Sequence, residues 1–141
     1  MPAVYTAVAT ATGNGRDGHT RSSDGVLDLD LAVPKEMGGP GGEKSNPEQL
    51  FAAGYAACFH SAIKVVGRRQ KANVDGSTVT AEVGIGPNGA GGFALEITLR
   101  VELSHVDQAT GEAIVAAAHQ VCPYSNATRG NIDVKLEVVT A

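Results

Sequence analysis

Two cysteines, Cys58 and Cys122, are the residues of this 141-residue chain whose type most invites chemistry. A thiol reacts as its thiolate, and a thiolate needs a cation, a helix N-terminus or a base beside it. Around Cys58 the sequence supplies none of these. It lies within NPEQLFAAGYAACFH, and His60, two residues on, points to another side of a helix. On local grounds Cys58 therefore reads as a small buried hydrophobe. Cys122 stands immediately before Pro123, at the mouth of an expected helix N-terminus, where negative charge is favoured. Local reasoning ranks Cys122 as the more reactive thiol, with a loop cysteine of no consequence as the alternative. Two thiols are too few for a disulfide-stapled secreted scaffold, which leaves inert fillers or a redox pair.

Other candidates are weaker when taken singly. Arg16 sits in a Gly/Asp-rich turn and reads as a solvated arginine, while Glu48 is explained by its place in the first turn of a helix. His19, His60, His105 and His119 are dispersed, and no CxxC, HxxxH or HExxH spacing occurs, so no metal site is expected. The cluster GGPGGE does not lead from a strand through GxGxxG into a helix, which removes a dinucleotide reading. Asn126-Ala-Thr128 matches a glycosylation sequon, read as coincidental because no secretory signal is expected at the N-terminus.

The elements that must position these residues follow from periodicity and punctuation. VYTAVATATG reads as a strand, GRDGHTRSSDG as a polar turn, and VLDLDLAV as a second, half-buried strand, together a hairpin. PKEMGGPGGEKSNP is too rich in glycine and proline for regular structure. A helix is predicted from about Pro47 to Gln70: Asn46 caps it, Pro47 suits its first position, and Glu48 and Gln49 favour its positive end. Leu50, Phe51, Gly54, Tyr55, Cys58, Ser61, Ala62 and Val65 fall on one broad apolar face, expected to be buried. Alternating strands follow around Val79–Ile85 and Leu95–Leu103, joined through GPNGAGG. A second helix is expected from about Asp107 to Val121, a short third one from Pro123, and a closing strand through Ile132, Val134, Leu136 and Val138. The class is α+β: a single domain, 1–141, of antiparallel sheets with helices packed against them.

Composition narrows the function classes. Hydrophobic residues make up 43% and charged ones 18%, a globular balance. A net charge of −4 with scattered Lys and Arg argues against a nucleic-acid surface, and no apolar run reaches the length of a membrane span. Glycine and alanine fill 39 of 141 positions, with no tryptophan and six aromatics. Cores of such small side chains bury little area per residue, so a homodimer that completes its core by association is expected.

Three segments together, GRDG (15–18), NPEQLFAAGYAACF (46–59) and VCPYSNATRGN (121–131), resemble the organic hydroperoxide resistance (Ohr) branch of the Ohr/OsmC family. The likeness runs over essentially the whole chain, including the order of strands and helices. It implies an OsmC-like fold with a long central helix carrying the reactive cysteine, in an intertwined homodimer in the cytoplasm. It also implies a thiol peroxidase without metal, haem or flavin. Cys58 would be the peroxidatic residue and Cys122 the resolving one, Arg16 would stabilise the thiolate and the peroxide oxygen, and Glu48 would orient Arg16. Phe51 and Tyr55 would wall an apolar site for the organic hydroperoxide. Dihydrolipoamide or lipoylated proteins would reduce the Cys58–Cys122 disulfide. This reverses the local ranking of the thiols, with Cys122 expected to stay accessible at its helix end. Ten residues of straight helix span about 15 Å, so Glu48 cannot touch Cys58 of its own helix, and Arg16 and Glu48 reach it across a long gap or from a partner chain. Two other readings stand beside this one: an OsmC-type peroxidase, and a non-enzymatic dimeric binder of an apolar ligand with inert cysteines.

Overall fold

The structure, a computed structural model, describes residues 1–140. The chain divides into two compact units, Met1–Leu50 and Phe51–Ala141.

The first unit holds an antiparallel sheet of β1 (Ala9–Asn14), β2 (Asp17–Ser22) and β3 (Asp28–Asp30), in that order. This corrects the two-strand hairpin expected from the sequence, because β2 lies inside the segment read as a turn. Asn14 pairs with Asp17 across a two-residue loop, Gly15–Arg16, with Gly15 at φ 65°. A positive φ at the first loop residue is what such hairpins require of glycine. Val26 and Leu27, expected within the second strand, precede β3 and are exposed. The Gly/Pro loop that follows is irregular apart from a 3-10 turn, Lys35–Met37, and an isolated bridge from Ser45 to Leu31.

Helix α1 (Pro47–Gln70) begins in the first unit and runs into the second, with the bounds predicted. Asn46 caps it, its Oδ1 accepting from the Gln49 N–H at 2.8 Å. The buried face differs from the expected one. Tyr55, Phe59, Ala62, Ile63, Val66 and Gly67 are buried, whereas Ser61 is exposed and Leu50, Phe51, Cys58 and Val65 are only partly covered. The helix is apolar on several sides, so spacing alone does not choose among them. For the same reason α1 is long and apolar enough to cross a membrane by length and composition, with mean hydropathy 1.3 in its most apolar window, contrary to the reading from apolar runs. Its buried side chains belong to the core of the second unit. Gly67 is needed there, since a Cβ would lie 2.7 Å from Val74 Cγ2.

Strands β4 (Thr78–Pro87) and β5 (Phe93–Glu102) form an antiparallel hairpin, and β6 (Val134–Val139) pairs with β5 in parallel. The second sheet is thus mixed rather than antiparallel. Its connection, α2 (Gln108–Val121) followed by α3 (Pro123–Thr128), is the long helical crossover that a parallel pair needs. Asp107 caps α2, accepting from the Thr110 N–H at 2.8 Å, and Pro123 opens α3. Inward-facing Ile97, Leu99, Val101 and Leu103 of the sheet region meet Phe59 and Ile63 of α1 and Ile114, Val115 and Ala118 of α2 in one core. Full burial of each large side chain there contributes roughly 1.5–3 kcal/mol.

Candidate active site

In the second unit the two cysteines, 64 residues apart in sequence, meet. Cys122 Sγ donates to Cys58 Sγ at 3.3 Å, and both thiols are free. Forming an S–S bond of about 2.05 Å requires the sulfurs to approach by little more than about 1 Å. Cys58 is partly exposed, while Cys122 has no exposed surface, which corrects the expectation that Cys122 stays accessible. It stands at the end of α2 as well as at the start of α3, so it packs in the core cluster with Ile114, Val115 and Ala118.

Burial pushes the Cys58 thiol up from its ordinary pKa; the Tyr124 backbone N–H at the start of α3 pulls it down, and the hydrogen bond from Cys122 pushes it up again. The net direction is upward, away from a thiolate. A reactive Cys58 therefore needs a cation beyond these groups.

In the first unit the hairpin loop presents Arg16, and the first turn of α1 presents Glu48. Arg16 Nη1 and Nη2 donate to Glu48 Oε2 and Oε1 at 2.7 and 2.6 Å, a bidentate pair. The Glu48 side chain is 13% exposed and that of Arg16 36%. The hydrogen bond from Arg16 holds the Glu48 carboxyl below its usual range, against the opposing effect of burial. The same bond holds the Arg16 guanidinium above its usual range. Arg16 is thus a braced cation rather than the solvated arginine of the local reading.

Phe51 and Tyr55, expected as apolar walls, differ in the structure. Phe51 is partly buried and packs edge-on to Tyr55 and Tyr124, with ring centroids 6.2 Å away in both cases. Tyr55 is fully buried, and its hydroxyl is engaged by Ser125 and Thr128, so it offers no surface to a substrate. Tyr124, which the sequence reading did not single out, is 40% exposed and packs at a tilt against Tyr55, with ring centroids 5.7 Å apart. Its ring lies over Gly54, where a Cβ would meet Tyr124 Oη at 2.9 Å. The available signal was a glycine in the middle of α1 together with an aromatic two residues after Cys122. A depression of about 460 Å³ in the first unit, lined among others by Asp28, Asp30, Glu43 and Lys44, is polar and does not suit an apolar substrate.

Comparison with known proteins places the chain in a family. The family of OsmC-like proteins matches residues 39–137. The organic hydroperoxide resistance protein of Xanthomonas axonopodis pv. citri (strain 306) is 54% identical over 134 residues, 94% of this chain and 93% of that protein. The organic hydroperoxide resistance protein OhrB of Bacillus subtilis (strain 168) is 48% identical over 139 residues, 96% and 98% of the two chains. A crystal structure of an organic hydroperoxide resistance protein OsmC from Legionella pneumophila matches with TM-score 0.93 and 52% identity, over 99% of this chain and 100% of that one. With one family spanning both units, relatives matching over nearly their full length and the same fold, this chain belongs to the OsmC-like family, in its organic hydroperoxide resistance branch.

Proposed function

We propose that the protein is a thiol peroxidase that reduces organic hydroperoxides to alcohols and so protects against organic peroxide stress. The observation that carries this reading is the cysteine pair, with a partly exposed Cys58 Sγ 3.3 Å from a fully buried Cys122 Sγ. The Cys58 thiolate attacks one oxygen of ROOH, the O–O bond breaks, and the alkoxide leaves as ROH after taking a proton. Cys58 is then a sulfenic acid. The Cys122 thiolate attacks its sulfur, the S–S bond forms, and the hydroxyl departs as water after protonation. A dihydrolipoyl dithiol, free or carried on a lipoylated protein, returns two electrons: its thiolate attacks the partly exposed Cys58 sulfur and Cys122 leaves, then the second lipoyl thiolate closes the lipoyl disulfide and expels the Cys58 thiolate.

Arg16 is the cation that the raised Cys58 thiol calls for, and Glu48 holds its guanidinium in one orientation. A homodimer, with Arg16 acting in its own chain or on its partner, fits the exposed, small-residue face of α1 at Ala53, Ala57 and Ser61. The rings of Phe51 and Tyr124 pack together, the Tyr124 backbone N–H faces Cys58, and the two side chains supply an apolar surface that suits an alkyl peroxide better than H₂O₂. A cytoplasmic setting, which keeps the dithiol reduced, fits the same scheme.

Thiol counting before and after one equivalent of an alkyl hydroperoxide tests the reading. The peroxidase loses both thiols and regains them with dihydrolipoamide. A binding module with inert cysteines keeps both, and that result overturns the proposal.

A further inference from the structure

Near the cysteine pair in sequence lies a polar chain, buried except at half-buried His119, that the peroxidase scheme does not use. His119 Nδ1 meets Ser125 Oγ at 2.8 Å, Ser125 Oγ meets Tyr55 Oη at 2.8 Å, and Tyr55 Oη meets Thr128 Oγ1 at 3.1 Å. Thr128 Oγ1 in turn donates to the Ser125 carbonyl at 3.3 Å. That last bond orders the whole chain. With its proton on a carbonyl, Thr128 accepts from Tyr55, Tyr55 accepts from Ser125, and Ser125 accepts from His119 Nδ1–H. Every hydroxyl thus gives one hydrogen bond and takes one. Tyr55 and Ser125 have no exposed surface and Thr128 is 4% exposed.

The placement of these residues matters more than their burial. Tyr55 precedes Cys58 on α1 by three residues, His119 precedes Cys122 by three, and Ser125 follows Cys122 by three in the first turn of α3. The three segments that carry the reacting sulfurs are therefore tied together within one helical turn of each sulfur. An apolar contact would let α3 slide or rotate at small cost, whereas this hydrogen-bond chain has one geometry, because displacing Tyr55, Ser125 or Thr128 leaves a buried hydroxyl unpaired.

We propose that Ser125, acting through Tyr55 and His119, is a positioning residue for disulfide closure, holding Cys122 Sγ within reach of Cys58. The proposal rests on the dithiol reading above. It predicts a selective effect: the first reaction of Cys58 is untouched, while the attack by Cys122 is slowed. Reactions between held groups lose on the order of a hundredfold in rate for a misplacement of about 1 Å, so a slowing of at least about tenfold is expected when the tie is cut.

The test separates the two events without peroxide, using the aromatic disulfide 5,5′-dithiobis(2-nitrobenzoate) on the reduced protein. The Cys58 thiolate displaces one thionitrobenzoate and keeps the other as a mixed disulfide. The Cys122 thiolate then attacks the Cys58 sulfur, forms the internal disulfide and expels the second thionitrobenzoate. In Ser125→Ala the first release should match the native protein and the second should slow at least tenfold, with Ser125→Thr restoring part of the loss. Tyr55→Phe, which keeps the ring and removes only the hydroxyl, should slow the second release as well and gives an independent measurement. A second release within twofold of native in a folded Ser125→Ala, or equal slowing of both phases, would overturn the proposal. Peroxide inertness of the native protein alongside a selective loss of closure would instead overturn the peroxidase reading and leave the positioning role standing.

Discussion

The braced arginine gives the sharpest energetic prediction. Arg16 and Glu48 make two charge-assisted hydrogen bonds, 2.7 and 2.6 Å long. A fully buried pair of that kind would couple by several kcal/mol, while exposed pairs typically couple by about 0.2–1 kcal/mol. Glu48 is 13% exposed but Arg16 36%, so solvent screens one side of the pair. Discounted for that screening, the coupling should be about 1–2 kcal/mol. A double-mutant cycle of Arg16→Met, Glu48→Gln and the double variant, read by urea unfolding at pH 7, measures it. The pH dependence has a definite sign. The folded Glu48 carboxyl is held below its unfolded value, chiefly by the hydrogen bond from Arg16. The coupling is therefore complete above the unfolded value, about 4.3, and declines as pH falls through the folded one. Additive single variants at pH 7, or a coupling that stays constant into acid, would refute the braced-cation argument.

The other predictions concern the cysteine pair and its surroundings. Cys122→Ser should consume about one equivalent of hydroperoxide and stall with Cys58 as a sulfenic acid trappable by a sulfenate-specific reagent; sustained turnover with dihydrolipoamide would contradict a resolving role. Gly54→Ala should change stability little, because a helix-propensity gain of about 1 kcal/mol opposes the overpacking cost. It should nonetheless displace the Tyr124 ring, seen as altered Tyr124 resonances and lowered preference for bulky hydroperoxides. His19, hydrogen-bonded to Asp30 and Asp28 on β3, has its pKa raised, mainly by Asp30. Its tie between β2 and β3 is complete below the unfolded value of about 6.5 and lost as pH rises through the folded one. An NMR titration should place the His19 midpoint lower in Asp30→Asn than in the native protein, and equal midpoints would contradict the pairing.

What could be read from the sequence depended on whether a local signal had a single meaning. Helices α1 and α3 were readable because Asn46-Pro47 and Pro123 are start signals whose chemistry acts within one turn. Strand β2 was missed because β1 is exposed throughout and β2 is partly covered without a buried face, and alternation marks a strand only when one face is buried. The dipeptide Asn14-Gly15 was the surviving signal. The buried face of α1 was misplaced because apolar residues surround the helix, and which ones are covered depends on distant β5 and α2. The parallel pairing of β6 was available in principle, since a helical crossover between two strands permits it.

For the site, local reasoning taken residue by residue did not bring the pairs together. Cys58 lacked a neighbour to activate it, and Cys122 stood at a helix start. Only the fold reveals that Cys122 is sealed in the core against Cys58, and that Glu48 braces Arg16 from 32 residues away. The resemblance carried by the three segments supplied pairings that local physics could not, although it also placed Tyr55 at the substrate rather than in the polar chain.

The most direct test of the central claim is peroxide consumption by the purified protein with dihydrolipoamide as the sole reductant, comparing a bulky organic hydroperoxide with H₂O₂. Sustained turnover that favours the organic peroxide and vanishes in Cys58→Ser is the expected result. No turnover on either peroxide, with both thiols intact afterwards, would contradict the account.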